Sequence, residues 1–204
     1  MLTSHGTMQE QIERAAREET DLSGVFFSGE AMRNTDLSGV EFHGCRLETC
    51  RFTACRAEGC YFEDCVLQNC DFSNLSFEGC CFRRVKLISC KLLGTGFPEA
   101  IFDGTVFTAC SCRLAEFSSA RFQHTVFSDC GLRECSFQEC KLHDAVFSGC
   151  GMKKCSFLHT SLRGIDLRND ETDGLTVSGP ELRGAVVTPA QACELARYLG
   201  LVIR

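Results

Sequence analysis

Cysteine and histidine carry most of the chemistry available to this chain, and their spacing limits what that chemistry can be. Among 204 residues there are 17 cysteines and 5 histidines. Residues 45 to 70 read CRLETCRFTACRAEGCYFEDCVLQNC, with a cysteine at every fifth position. A structural zinc site wants paired thiolates a few residues apart, matched by a second such pair. Cys80 with Cys81 and Cys110 with Cys112 are the close pairs, and neither has that match. A disulfide framework wants an even count and a secretory signal, whereas the count is odd and MLTSHGTMQEQIERAAREE contains no apolar signal core. The thiols therefore read as reduced packing residues, since free cysteine behaves as a small buried hydrophobe. His124, His143 and Asp144 are the nearest approach to a catalytic constellation, and no glycine-rich phosphate loop is present. The expectation is a protein that is not an enzyme, with no catalytic residue, cofactor or metal.

The elements that position these residues follow from the period. Stepping by five from Leu22 through Phe27, Met32, Leu37 and Phe42 to Val187 gives 34 positions without an insertion. Of the 17 phenylalanines, 16 fall on that series, Phe26 being the exception. Two residues before the central position stand Cys, Ala, Thr, Val or Leu, and 14 of the 17 cysteines are there. The other three positions are mostly Ser, Gly, Arg, Glu, Asp, Gln and Asn. Neither a helix nor a plain strand has a period of five. A chain that turns through a right angle every five residues does, and four such sides close a square coil of 20 residues that stacks on itself in rungs about 4.8 Å apart.

This pattern resembles that of the pentapeptide-repeat proteins. The resemblance implies an all-β right-handed quadrilateral β-helix over residues 20–187, flanked by a capping segment at 1–19 and a helix with a short strand at 188–204. In such a coil Phe42, Phe62, Phe82, Phe102 and Phe122 share a column, Phe77 to Phe157 share another, and Cys50, Cys70, Cys90, Cys110, Cys130 and Cys150 form one ladder. His124 and His143 then lie on neighbouring coils of a convex face, which offers no cleft.

Outward positions separate by charge. One side carries Asp36, Glu58, Glu78, Glu99, Glu116 and Glu139 against Arg56 alone, an acidic interaction face. The preceding side carries Arg33, Arg51, Lys91, Arg113, Arg133, Lys153 and Lys154. A third shows Phe26, Val66, Val106, Val126 and Val146, read as β-branched residues suited to extended backbone more than as a docking stripe. Asp170 and Thr172 break the apolar pattern, and a bulge or local hydrogen bonding is expected there.

A solenoid needs its ends closed. TMQEQIERAAREE predicts a helix with Met8, Ile12 and Ala15 on its inner side. Near the other end Thr188 is a good N-cap, Pro189 suits the first helical position and Gln191 completes a capping box. Ala192, Leu195, Ala196 and Leu199 form an apolar face, Gly200 a stop, and Leu201, Val202 and Ile203 a short strand. This ending is similar to that of the quinolone-resistance group of pentapeptide-repeat proteins, in which it joins two subunits. The resemblance implies a homodimer built on those seven residues; an intramolecular cap is the alternative.

A formal charge of −6 argues against direct nucleic-acid binding, and no apolar run has the length of a membrane span. A cytoplasmic, bacterial protein is expected. The resemblance implies a rod whose shape and acidic face mimic DNA and engage DNA gyrase or topoisomerase IV, modulating quinolone sensitivity. The alternative is a structural or adaptor module that docks other proteins, for example in a secretion system.

Overall fold

The computed structural model describes residues 6–18 and 20–202. Every side of the coil is five residues long because the central residue and the small residue two before it both point inward, leaving three outside. From Leu22 to Phe137 every central residue is buried, and so is nearly every residue two places earlier. Stacking places residue i beside i+20. Leu22 pairs with Phe42, Phe42 with Phe62 and Phe62 with Phe82, all in parallel register.

Two of the four sides are continuous sheets of seven parallel strands, one running from Leu22–Ser23 to Lys141–His143 and the other from Phe26–Ser28 to Val146–Ser148. Apart from one two-stranded pairing of Ala31–Arg33 with Arg51–Thr53, the remaining sides are ladders of single bridges, such as Ser76 to Gly96 to Glu116 to Ser136, joined by tight turns. Corners require left-handed backbone. Glycine supplies it at Gly59 (φ 63°) and Gly79 (φ 64°), and Asn69 and Asn74 tolerate it with their short side chains. The arrangement is the expected right-handed quadrilateral β-helix.

The core consists of interleaved aromatic stacks. Phe42, Phe62, Phe82, Phe102 and Phe122 stack at centroid distances of 4.6, 5.1, 5.1 and 5.0 Å. Phe77, Phe97, Phe117, Phe137 and Phe157 form a second column at 5.4, 5.0, 4.8 and 5.0 Å, and edge contacts near 6 Å join the two. Rung spacing forces offset stacking within a column, while the right-angled corners force the edge-on contacts between columns; both are favourable aromatic geometries.

The small inward residues satisfy buried backbone. Cys110 Sγ donates to the Leu87 carbonyl, Cys130 Sγ to Phe107 and Cys150 Sγ to Phe127, at 3.3–3.5 Å. Thr95, Thr105, Thr125 and Thr160 hydroxyls make the same bond. All the described cysteines are free thiols, and burial pushes Cys140 up to about 12. A thiol raised in this way is a poor nucleophile.

At the amino end, α1 (Met8–Glu18) buries Met8, Gln11, Ile12 and Ala15 against the first coil. At the carboxyl end, α2 (Pro189–Leu195) begins with the expected capping box: the Thr188 hydroxyl accepts from the Gln191 amide, and the Gln191 side chain accepts from the Thr188 amide. Gln191 Nε2 also donates to the carbonyls of Leu167 and Asp170, fastening α2 onto the last full coil. A 3-10 turn, Ala196–Leu199, ends at left-handed Gly200.

Of the two outcomes expected at Asp170, local hydrogen bonding is the one found: Asp170 Oδ1 accepts from the Cys150 amide at 2.7 Å, and the coil keeps its pitch because the Glu171 amide still donates to the Cys150 carbonyl. One sequence expectation changes. The anticipated strand is not formed at Leu201 and Val202, which have no neighbouring chain segment to pair with; Ile203 lies outside the described residues.

Candidate protein-interaction faces

The acidic residues of the sequence analysis all fall on exposed positions of one side. Asp36, Glu58, Glu78, Glu99, Glu116 and Glu139 flank the buried column Leu37, Ala57, Phe77, Phe97, Phe117 and Phe137. Asp36 and Glu58 lie 4.0 and 3.6 Å from Arg56. Beyond that rung, among the described residues, Glu78, Glu99, Glu116 and Glu139 have no basic partner; Glu116 accepts from Ser118. The lower part of this side is thus an uncompensated negative stripe.

The basic side is different because its carboxylates are interleaved. Glu134 meets Arg113, Arg133 and Lys154 at 3.3, 3.4 and 4.0 Å, and Lys153 meets Glu171 and Asp173 at 3.6 and 3.4 Å. Although desolvation works against it, hydrogen bonding to Arg113 and the surrounding positive charges hold the Glu134 carboxyl below its usual range. Most of that positive charge is therefore neutralised within the chain. On the third side Val66, Val106 and Val126 are half-buried, while Phe26 and Val146 are exposed.

The histidine constellation lies open on the surface. His124 Nε2 and His143 Nε2 both lie 3.4 Å from Asp144 Oδ2, but all three side chains are well exposed on a convex wall.

Of the residues expected to join two subunits, Leu195 is buried within its own chain. Ala192 and Ala196, with Leu182, Ala185, Val187 and Leu195, line a small apolar groove beside α2. Leu201 and Val202 project, Val202 with 83% of its surface exposed. The Leu199 side chain and Ile203 lie outside what the structure describes.

Two features escaped the sequence reading. Glu181 is buried at the lower end, accepting from the amides of His159 and Ser178 at 3.0 Å and from the Ser178 hydroxyl at 2.7 Å. Burial opposes its charge, yet these bonds outweigh it and bring the carboxyl to about 2. Asp21, Glu41, His43 and Glu63 cluster near the upper end. The 20-residue pitch, applied to outward as well as inward positions, stacks 21 over 41 and 43 over 63 and was the signal available.

Family models agree with this geometry. That described as Pentapeptide repeats (8 copies) matches residues 18–53, 45–84 and 130–169, and that described as Pentapeptide repeat region matches residues 80–142. The chain belongs to the pentapeptide-repeat family. No curated protein matches it. Among solved structures, full-length QnrB1, a plasmid-mediated fluoroquinolone resistance protein, is 18% identical, with a TM-score of 0.50 over 86% of this chain and 100% of its own. HetL, a pentapeptide repeat protein involved in heterocyst differentiation regulation from the cyanobacterium Nostoc, is 14% identical, with a TM-score of 0.35 over 90% and 98% of the two chains. A pentapeptide repeat protein of the Arabidopsis thaliana thylakoid lumen is 25% identical, with a TM-score of 0.37 over 49% of this chain and 66% of that one. The likeness to QnrB1 is one of fold alone. Among the described residues of this pentapeptide-repeat protein no helix is long and apolar enough to cross a membrane.

Proposed function

We propose that this pentapeptide-repeat protein is a non-catalytic interaction rod that presents its acidic side to a basic groove of a DNA-handling enzyme, DNA gyrase or topoisomerase IV. The observation that carries this reading is the stripe of Glu78, Glu99, Glu116 and Glu139, exposed and without basic partners on a rigid wall. Duplex DNA presents negative charge at about 1.7 Å intervals along its axis. The stripe is sparser, at roughly one carboxylate per 4.8 Å rung, so shape and length must add to charge. End-to-end pairing of two chains through Leu201, Val202 and the groove beside α2 would double the rod and the number of charges engaged at once.

The chain serves instead as an adaptor docking other proteins if no topoisomerase binds. What favours that second reading is the unbroken register from Leu22 to Val187, which projects no loop from the coil for a specific enzyme to grip.

The test is supercoiling by purified gyrase and topoisomerase IV, with and without a quinolone, together with direct binding at several salt concentrations. The native protein is compared with a Glu78→Gln, Glu99→Gln, Glu116→Gln, Glu139→Gln variant and a Leu201→Arg, Val202→Arg variant. The reading expects native binding that weakens with salt, a smaller salt dependence in the Gln variant, and a half-length, weaker-binding species in the Arg variant. No binding by the native protein at low salt removes the topoisomerase and leaves the adaptor; tight binding untouched by the Gln changes moves the site to another side.

A further inference from the structure

Glu41 and His43 flank the buried Phe42 and face outward, and Asp21 immediately precedes the strand that stacks on theirs. The 20-residue pitch thereby gathers three metal-ligating side chains that are scattered in sequence. His43 Nε2 lies 3.2 Å from Glu41 Oε2 and 3.7 Å from Asp21 Oδ2, and the three donor atoms are within 4.8 Å of one another. Ligands about 2.1 Å from a tetrahedral zinc ion stand roughly 3.4 Å apart. The spacing at His43 brackets that value.

The other ring nitrogen is already occupied. His43 Nδ1 meets Glu63 Oε2 at 3.3 Å, and Glu63 is held in turn by Arg84 at 2.7 Å and Arg83 at 3.6 Å. A carboxylate on one nitrogen fixes the tautomer and turns the second nitrogen toward a cation, the arrangement found around protein-bound zinc. An ordinary ion pair is built differently. At His124 the carboxylates divide between the two nitrogens, Asp103 facing Nδ1 at 3.9 Å and Asp144 facing Nε2 at 3.4 Å. At His43 two carboxylates converge on the single nitrogen Nε2, which has one proton at most to offer them. Two negative groups sharing one donor repel, and a divalent cation between them removes the conflict.

Space and charge agree. Asp21 and Glu41 line a notch of about 240 Å³ between Ala15 and Ala16 of α1 and the Ser38–Val40 corner, enough for water to complete a coordination shell. Arg83 and Arg84 are engaged by Glu63, Asp64 and Asp103, and among the described residues Asp21 and Glu41 have no lysine or arginine at ion-pair distance. One imidazole nitrogen with two carboxylate oxygens suits zinc and its first-row neighbours; calcium and magnesium prefer oxygen alone.

We propose that Asp21, Glu41 and His43 bind one divalent cation of the zinc class, with Glu63 orienting His43. Because Asp21 follows α1 by three residues, the ion ties the start of the solenoid to its second rung and locks the amino-terminal cap over the open end of the coil.

The full chain, kept reduced with a non-chelating phosphine, is titrated with Zn²⁺ or Co²⁺ alone, following heat of binding, the Co²⁺ visible spectrum and thermal unfolding. Asp21→Asn, Glu41→Gln and His43→Gln are compared with the native chain and with His143→Gln, an exposed histidine outside the cluster. The proposal expects one tight equivalent in the native chain and in His143→Gln, a Co²⁺ spectrum without sulfur-to-metal charge transfer, and a metal-dependent rise in melting temperature. Each cluster variant should lose affinity by at least about tenfold and lose the melting shift, while its melting temperature without metal shows that it folds. No binding by the native chain, equal binding in all five proteins, or a sulfur-ligated spectrum overturns the site.

Discussion

Replacing Asp170 by Asn tests the logic of the buried ladder. Cys50, Cys70, Cys90, Cys110, Cys130 and Cys150 are stacked, and Asp170 takes the next rung with 7% of its surface exposed. Its Oδ1 accepts from the Cys150 amide at 2.7 Å, whereas its buried Oδ2 has no partner. Each thiol above donates to the carbonyl 23 residues earlier, as Cys150 does to Phe127; the corresponding carbonyl for Asp170 is that of Phe147. A carboxylate cannot donate. A protonated carboxyl can, and burial, with Asp166 nearby, pushes the Asp170 pKa above its ordinary 3.8. The remaining charges around this coil are Arg168, Glu171, Asp173, Lys153 and, on α2, Glu194.

The sign follows. A carboxyl whose folded pKa exceeds its unfolded value binds protons more tightly when folded, so its favourable contribution is full below about pH 3.8 and is lost as pH rises through the folded pKa. Asn carries its own N–H donors and needs no proton from solution. At pH 7, Asp170→Asn should therefore stabilise the fold by about 1–3 kcal/mol, the cost of a buried polar group left without its partner; near pH 3.5 the two proteins should be alike. Urea unfolding of both between pH 3.5 and 8 measures the difference. A difference independent of pH, or an Asn variant less stable at pH 7, would refute the assignment of the proton to Asp170.

Phe97→Ala removes a fully buried ring stacked between Phe77 and Phe117 and should cost about 3–5 kcal/mol in urea unfolding; a loss below about 1 kcal/mol would mean that the column collapses around the gap. Under native conditions a thiol reagent should label exposed Cys193 first and the ladder cysteines only after denaturation, as mass spectrometry will read. Gln191→Ala removes one side of the capping box and both bonds to the last full coil, so about 1–2 kcal/mol of stability should be lost. Proteolysis near α2 should quicken in that variant, and an unchanged cleavage rate would count against the fastening role.

The period of five determined the coil by itself, because a side of two inward and three outward residues leaves one way to bury 16 phenylalanines on a single series. The caps were equally local: Thr188, Pro189 and Gln191 meet within one helical turn, so their spacing is their geometry. Contacts across rungs were harder to read. Glu78 and Glu134 are both outward carboxylates, and only the placement of cations one rung away leaves the first bare among the described residues and the second compensated. At Asp170 the pattern indicated conflict, but whether the chain bulged or kept its pitch depended on backbone bonds between coils, which held. Helical spacing put Leu195 on the apolar face of α2, but only the docking of that helix decides that it is buried in the core of its own chain. Asp21, Glu41 and His43 were unremarkable surface residues until the 20-residue pitch stacked them. A repeat dictates its own interior because burial enforces one residue class at each inward position; the outer surface has no such constraint, and three-dimensional neighbourhood alone decides which of its charges meet.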